Sequence, residues 1–315
     1  MACGECLETC LFTALDRFSH SIGPALIALA LGLIMFCSYV FFAIVIEFYS
    51  DVSKAFLIPT GVFILFNALY NYYKAVTVSP GIPPLASEYM EGANMYRSAL
   101  AHRLRNYEEI SDGEEVNPSS GTVAVCSKCE RIRRARTHHC SVCRSCILKY
   151  DHHCPWIYNC VGLNNYKYFY LFLLHVFLVD LFFLASAYPV FHLSSSASVP
   201  FDLRANVTMA FLLAFAIEIA LLAFLSFHTY MILTNQTTME WATGSRPTSK
   251  KGKPFDSRAQ LNWSRVFGET GYWKWAFSFL DTNTHYLNQS VINIGMVPLK
   301  KRVGGPIGES HSFSE

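Results

Sequence analysis

Four stretches of the chain are apolar over nearly their whole length, at about 22–46, 55–76, 168–191 and 207–233. Each reaches the roughly 20 residues that a helix needs to cross a bilayer. The first contains "ALALG", which weakly resembles a signal-peptide cleavage site. Its apolar run, however, continues well past a signal h-region, and Arg17 is the only basic residue before it. It therefore reads as a retained anchor. Polar segments separate the spans. After the second comes "TVSPGIPP", where Pro80, Pro83 and Pro84 forbid further helix.

Composition agrees with lipid as the main solvent. Of 315 residues, 52% are hydrophobic and 15% charged, against about 25% charged in an ordinary soluble domain. The net charge of +2 supplies no basic field for nucleic acid, and none is expected as a partner. Lys and Arg are distributed unevenly: ten fall in 77–166, ten after 234, and one in each of the loops 47–54 and 192–206. The positive-inside rule then places both termini and the segment between the second and third spans in the cytosol. Of the sequons at Asn206, Asn235, Asn262 and Asn288, only Asn206 falls on the lumenal side. It abuts a helix, so no glycan is expected at any of them.

That central segment carries the chemistry. Seven of the eleven cysteines lie between 126 and 160, and a reducing cytosol favours metal binding or catalysis over disulfides. Eleven candidate ligands occur there: Cys126, Cys129, His138, His139, Cys140, Cys143, Cys146, His152, His153, Cys154 and Cys160. Cys126/Cys129, Cys140/Cys143 and Cys143/Cys146 are three C-x-x-C steps, a spacing that lets two sulfurs of one turn reach a tetrahedral zinc. Two closed structural sites need eight ligands. If each takes three cysteines and one histidine, one cysteine remains. A four-cysteine site paired with a three-cysteine, one-histidine site would instead absorb all seven. The tetrapeptide "DHHC" at 151–154 favours the first count, because it sets an acid, two imidazoles and a thiol side by side. A free cysteine titrates near about 8.5 and needs a base to react at neutral pH. A histidine oriented by a carboxylate is such a base.

The whole pattern C-x2-C-x9-HC-x2-C-x2-C-x4-DHHC-x5-C, followed by "PWIYNCVGLNNYKYF" and by "TTME" at 237–240, resembles the DHHC family of protein S-acyltransferases. The resemblance covers most of 20–280. It implies an all-α integral membrane protein: four transmembrane helices with a small cytosolic zinc-binding module of short β-hairpins between helices 2 and 3. It implies two structural zinc ions, one on Cys126, Cys129, His139 and Cys146, the other on Cys140, Cys143, His153 and Cys160. Cys154 would be the nucleophile, His152 its base and Asp151 the group that orients His152. His138 is left over as a non-ligand.

The implied reaction is ping-pong. Cys154 takes a long-chain acyl group, typically palmitoyl, from acyl-CoA and passes it to cysteines of membrane-associated proteins. Trp156 is expected near the carbonyl end of the chain, Thr238 near Asp151, and Asn262 in helix packing. "RIRRAR" at 131–136 would pair with CoA phosphates, or else form a solvated or lipid-facing basic loop. The family's Asp-Pro-Gly appears here as Ser79-Pro80-Gly81. The implied location is the endomembrane system, Golgi or ER foremost, with the plasma membrane as the alternative.

The expected layout is an N-terminal segment 1–21, helices 1 and 2 over 22–76, a linker 77–122, the module 123–166, helices 3 and 4 over 167–234, and a C-terminal region 235–315. Cys3, Cys6 and Cys10 are juxtamembrane cysteines, either acylated or free thiols. The polar stretch 86–121 reads as a linker or mobile insert. "LNWSRVFGETGYWKWAFSFL" reads as a membrane-docked segment, with a soluble helix as the alternative, and the last 15 residues as disordered. No internal repeat is evident. Asp180 and Glu218, with Asn67 at similar depth, lie inside spans. They are expected protonated and hydrogen-bonded within the bundle, at the deep end of an acyl cavity.

Overall fold

A computed structural model describes residues 2–88, 107–108, 124–133, 135–194, 200–244, 259–268 and 300–301, with side chains from Ile22 onward except at 107–108, 194 and 300–301. It divides into two units, Met1–Pro83 with Arg136–Thr282, and Pro84–Ala135 with Asn283–Glu315.

The first unit holds the helices. α1 runs Ala2–Ala43 as one helix and therefore starts well before its apolar stretch; a 3₁₀ turn Val45–Phe48 follows. α2 is Asp51–Thr77, α3 Tyr166–Ser194 and α4 Phe201–Leu233. Among the described residues, four segments are long and apolar enough to span a bilayer: Ile22–Phe48, Asp51–Thr77, Tyr166–Leu193 and Phe201–Leu233. The chain is a multi-pass membrane protein.

Two helices begin earlier than hydropathy alone predicts, and their first turns say why. Ser50 caps α2, its hydroxyl accepting from the Ser53 N–H, and Asp51 follows in the first turn, where a negative charge meets the helix dipole. α4 opens at Pro200 with Asp202 in its first turn. Polar residues thus form helix that a search for apolar runs leaves out. At the other end of α2, Thr77 is the last helical residue, just before the prolines.

α3 packs along both α2 and α4. The apolar interior falls into separate clusters. One, around Val40, Phe41, Phe183, Ala187 and Val207, lies at the end of the bundle where α1 and α3 finish and α4 starts. Another gathers Tyr72, Ala75, Ile157, Val161, Phe169 and Leu173 around Cys154 at the opposite end. Asp180 and Glu218 lie between. At 1.5 Å per residue each is about 21 Å along its helix from the hairpin end, and the two carboxyls are close enough to interact. One oxygen of each is buried with no hydrogen-bond partner among the described residues. The bundle therefore satisfies these acids less fully than expected.

Two hairpins separate α2 from α3. In the first, His138–Cys140 pairs antiparallel with Ser145–Ile147; in the second, His152–Cys154 pairs with Asn159–Val161. Gly162 follows the second where chains crowd. A Cβ there would come 2.6 Å from both the Ile147 side chain and the Pro80 carbonyl. Beyond α4, a short helix α5, Thr238–Ala242, carries a capping box between Thr237 and Glu240. Helix α6, Ala259–Phe267, packs Trp263, Val266 and Phe267 against Tyr170, Leu171 and Ile232.

In the second unit, Leu85 bridges Arg131, Val125 bridges Ile132, and Tyr107–Glu108 pairs with Lys300–Lys301. Most of the expected insert 86–121, the aromatic stretch past Gly268, nearly all of the last 15 residues, and the side chains of Cys3, Cys6 and Cys10 lie outside the described residues.

Candidate active site

The second hairpin turns its adjacent histidines to opposite faces. Successive residues of a strand point to opposite faces, so His152 and Cys154 share one face and His153 turns to the other. On the first face, His152 Nδ1 lies 2.7 Å from Asp151 Oδ2, and the Cys154 thiol is the imidazole's second electrostatic partner. Burial disfavours a charged imidazole, but the Asp151 bond, the Cys154 thiol and the charges behind them prevail, and the His152 pKa is pushed up to about 9. Burial likewise works against the Asp151 carboxylate. The His152 bond and charge outweigh it, helped by His228 and the Thr238 N–H, and its pKa falls below the usual value.

Asp151 is almost wholly buried, at 1% exposure, so its lone pairs need donors. Thr238 supplies two: its N–H at 2.9 Å to Oδ1 and its hydroxyl at 2.8 Å to Oδ2. The Thr237–Glu240 capping box fixes the turn that presents them, with the Thr237 N–H donating to Glu240 Oε2 at 2.8 Å. Glu240 in turn receives a bidentate pair from Arg136, Nε at 2.6 Å and Nη2 at 2.8 Å. Arg136 also donates to the Asn235 side chain and carbonyl. This arginine of "RIRRAR" is thus engaged inside the protein. Its neighbours Arg131 and Arg133 belong to the second unit.

On the other face, His153 Nδ1 lies 3.4 Å from Cys143 Sγ, 3.6 Å from Cys160 Sγ and 3.8 Å from Cys140 Sγ. All four donor atoms lie within 4.8 Å of one another. Zinc–sulfur bonds of about 2.3 Å give a tetrahedron with edges of this size, so three thiols and one imidazole fit a structural zinc. Of the other expected set, His139 and Cys146 are cross-strand partners in the first hairpin. Cys126 and Cys129 stand on one turn of the second unit, closed by the Glu130 N–H to the Cys126 carbonyl at 2.8 Å. His138 belongs to neither set, and its ring lies 6.0 Å from that of Tyr150.

Several anchors were not singled out from the sequence. Asn159 donates to the carbonyls of Ala75, Val76 and Val78 at 3.1–3.2 Å, satisfying the C-terminal end of α2 from the hairpin. Asn165 accepts from the Gly162 N–H and donates to the Cys160 carbonyl. Both lie in "YNCVGLNNYKYF", where polar residues interrupt an aromatic run just before an apolar helix, which is the available signal. Tyr72 donates to the Trp156 carbonyl at 2.8 Å, while the Trp156 ring is half exposed. Ser79, where the family has Asp, accepts weakly from the Gly81 N–H at 3.4 Å. Asn262 donates to the Leu233 carbonyl at 2.9 Å, capping α4 from α6.

Comparison with known proteins places this geometry. Residues 120–245 match the DHHC palmitoyltransferase family. A probable protein S-acyltransferase 13 from Arabidopsis thaliana is 31% identical over 81% of this chain and 84% of its own length. Palmitoyltransferase ZDHHC15A of Danio rerio is 32% identical over 64% of this chain and 63% of its own, and human palmitoyltransferase ZDHHC20 is 34% identical over 67% and 60%. The chain belongs to the DHHC palmitoyltransferase family. The matched segment holds every residue expected in the catalytic and metal sets. α6 with Asn262 lies beyond it.

Proposed function

We propose that this chain is a protein-cysteine S-acyltransferase working through an acyl-enzyme on Cys154, with the hairpins and both termini in the cytosol. The observation that carries this reading is the shared strand face of His152 and Cys154, with Asp151 behind His152 and apolar side chains around Cys154. His152 takes the Cys154 proton. The thiolate attacks the thioester carbon of a long-chain acyl-CoA, and the departing CoA sulfur recovers the proton from the imidazolium. In the second step His152 deprotonates a cysteine of a membrane-associated protein, whose sulfur attacks the Cys154 thioester and releases the Cys154 thiol. Asp151 keeps Nδ1 of His152 occupied, so that the other nitrogen faces the thiol.

The acyl chain has a suitable neighbourhood. Ile27, Ala30, Phe172, Leu221 and Leu225 pack around the Cys154 cluster, and each CH₂ buried there contributes about 0.8 kcal/mol. Zinc would be held by Cys140, Cys143, His153 and Cys160, and the resemblance assigns a second ion to Cys126, Cys129, His139 and Cys146. In both cases zinc would supply shape and no chemistry. The distribution of basic residues supports the cytosolic orientation. The test is labelling of purified protein with palmitoyl-CoA. The expected result is a hydroxylamine-sensitive adduct on Cys154, absent in Cys154→Ser, with about two zinc ions kept, the number the ligand count allows. Loss of zinc from Cys154→Ser would show that this thiol is a ligand and end the reading.

A further inference from the structure

We propose that His228 of α4, held by Tyr166, is a positioning residue for the His152 imidazole. The inference rests on the acyltransferase reading and adds a residue to it.

His228 is among the largest fully buried side chains of the protein, 2% exposed, in the last two turns of a membrane-spanning helix. An imidazole is costly in such a place unless it has partners. Its Nδ1 lies 3.0 Å from the hydroxyl of Tyr166. Tyr166 is the first residue of α3, and its own N–H reaches back to the Gly162 carbonyl at 3.0 Å, so the hydroxyl is tied directly to the end of the second hairpin.

The three rings beside the reacting thiol touch in a closed triangle. His152 and Phe169 are 5.2 Å apart, Phe169 and His228 5.0 Å, and His228 and His152 5.9 Å. Phe169 meets both histidines edge to face, while the two imidazoles are tilted by 38°. The His152 ring therefore has one restraint from Asp151 at Nδ1 and a second from this aromatic wall. Without the wall, a single hydrogen bond would leave the ring free to tilt about it. Two tethers on α4 and the turn that follows thus serve one hairpin: Thr238 fixes Asp151, and His228 supports His152.

The hydroxyl bond identifies His228 as more than filler. A phenylalanine would fill the space and stack as well, yet could not hydrogen-bond with Tyr166. Nor is the bond needed simply to join α3 to α4. One turn along, Tyr170 and Thr229 already pair at 2.9 Å between the same helices.

The test is the rate of Cys154 acylation by palmitoyl-CoA in His228→Phe, Tyr166→Phe and the double variant, with zinc content measured on each. Each single variant is expected to lower kcat about tenfold with KM for palmitoyl-CoA unchanged, the mark of a lost transition-state interaction. The double variant is expected to be no worse than either, because both remove one bond. His228→Asn, whose side-chain oxygen can accept where Nδ1 does, is expected to recover part of the loss. Thr229→Val, which removes the neighbouring helix–helix bond, should leave kcat alone. Should His228→Phe lose zinc, Tyr166→Phe, which deletes one oxygen, carries the test.

Unchanged single variants, additive losses, or a raised KM at constant kcat would each overturn the inference, the last by making His228 a wall of the substrate site. A wild-type protein that takes no label would overturn the acyltransferase reading and this inference together. A labelled wild type beside unaffected variants overturns only the inference.

Discussion

Aligned on their strands, the hairpins at 138–147 and 152–161 carry matching residues at most positions that shape them. His138-His139-Cys140 stands where His152-His153-Cys154 stands, and Cys146-Ile147 where Cys160-Val161 does. Arg144 and Tyr158 occupy the same turn position, both in the left-handed region at φ 52° and 46°. Three of the differences bear on the chemistry. Cys143 is replaced by Ile157, which is fully buried, Thr137 by Asp151, and Leu148 by Gly162. The first hairpin lends Cys140 and Cys143 forward to His153 and Cys160 of the second. After the second hairpin the chain enters α3 instead of a third hairpin, so nothing follows for Cys154 to serve. On the proposed reading its thiol is left over because the series of ligand sets ends there, and Asp151 gives the neighbouring histidine a different task.

The sharpest way to break this comparison is to exchange a cysteine for serine at the matching positions. Cys140→Ser removes a ligand from the Cys140, Cys143, His153 and Cys160 set, and structural zinc contributes apparent folding free energies of about 10 kcal/mol or more. The expected outcome is zinc loss and collapse of the hairpins, seen as metal content and proteolytic sensitivity. Cys154→Ser should keep both. Equal zinc loss in the two variants would mean that the hairpins do not differ in the way described.

Arg136 tests how the first hairpin supports the second from outside. It lies next to Thr137 and joins Glu240 across a largely buried pair, with side-chain exposures of 16% and 8%. Breaking such a pair from one side costs about 3–5 kcal/mol, because the remaining charge stays buried alone. Arg136→Ala should lower thermal stability accordingly and slow acylation by loosening the turn that carries Thr238. Arg136→Lys should recover little, since a single ammonium cannot reproduce the bidentate contact.

Thr238→Ala removes the hydroxyl bond to Asp151 but keeps the backbone one. A hydrogen bond to a charged group is worth about 1.5–3 kcal/mol, so acylation should fall ten- to hundredfold while zinc content holds. Cys154 acylation rates and metal analysis check both halves. An effect on zinc equal to that of Cys140→Ser would assign Thr238 to the fold of the module.

Much of this arrangement was legible in the sequence because its signals are local. Four apolar runs announced the spans, and the family pattern implied the ligand set Cys140, Cys143, His153 and Cys160, whose donor atoms the hairpins bring together. The hairpin repeat escaped notice although "HHCSVCRSCI" and "HHCPWIYNCV" are aligned at a spacing of 14 residues. Its second C-x-x-C step is erased by Ile157, and with it the most conspicuous part of the match. Arg136 sits in a run expected to meet CoA phosphates, solvent or lipid, because its partners, Asn235 and Glu240, are about a hundred residues away. Separation in sequence also hid His228, which looks like any polar interruption of an apolar run until folding sets its ring beside His152.

The smallest effect concerns the position that changed most in chemistry. Thr137, the counterpart of Asp151, is 4% exposed, and its hydroxyl has no hydrogen-bond partner among the described residues. A buried hydroxyl left unpaired costs about 1 kcal/mol or more, and valine fills almost the same volume without it. Thr137→Val should therefore raise thermal stability by about 1 kcal/mol and leave acylation unchanged. At the matching position, Asp151→Val would remove the group that holds His152 and should abolish acylation. Opposite signs at aligned positions would show that the two hairpins share a frame while only the second uses that position for chemistry. If Thr137→Val instead destabilises the protein, the hydroxyl has a partner such as a buried water, and the first hairpin is as finely satisfied as the second.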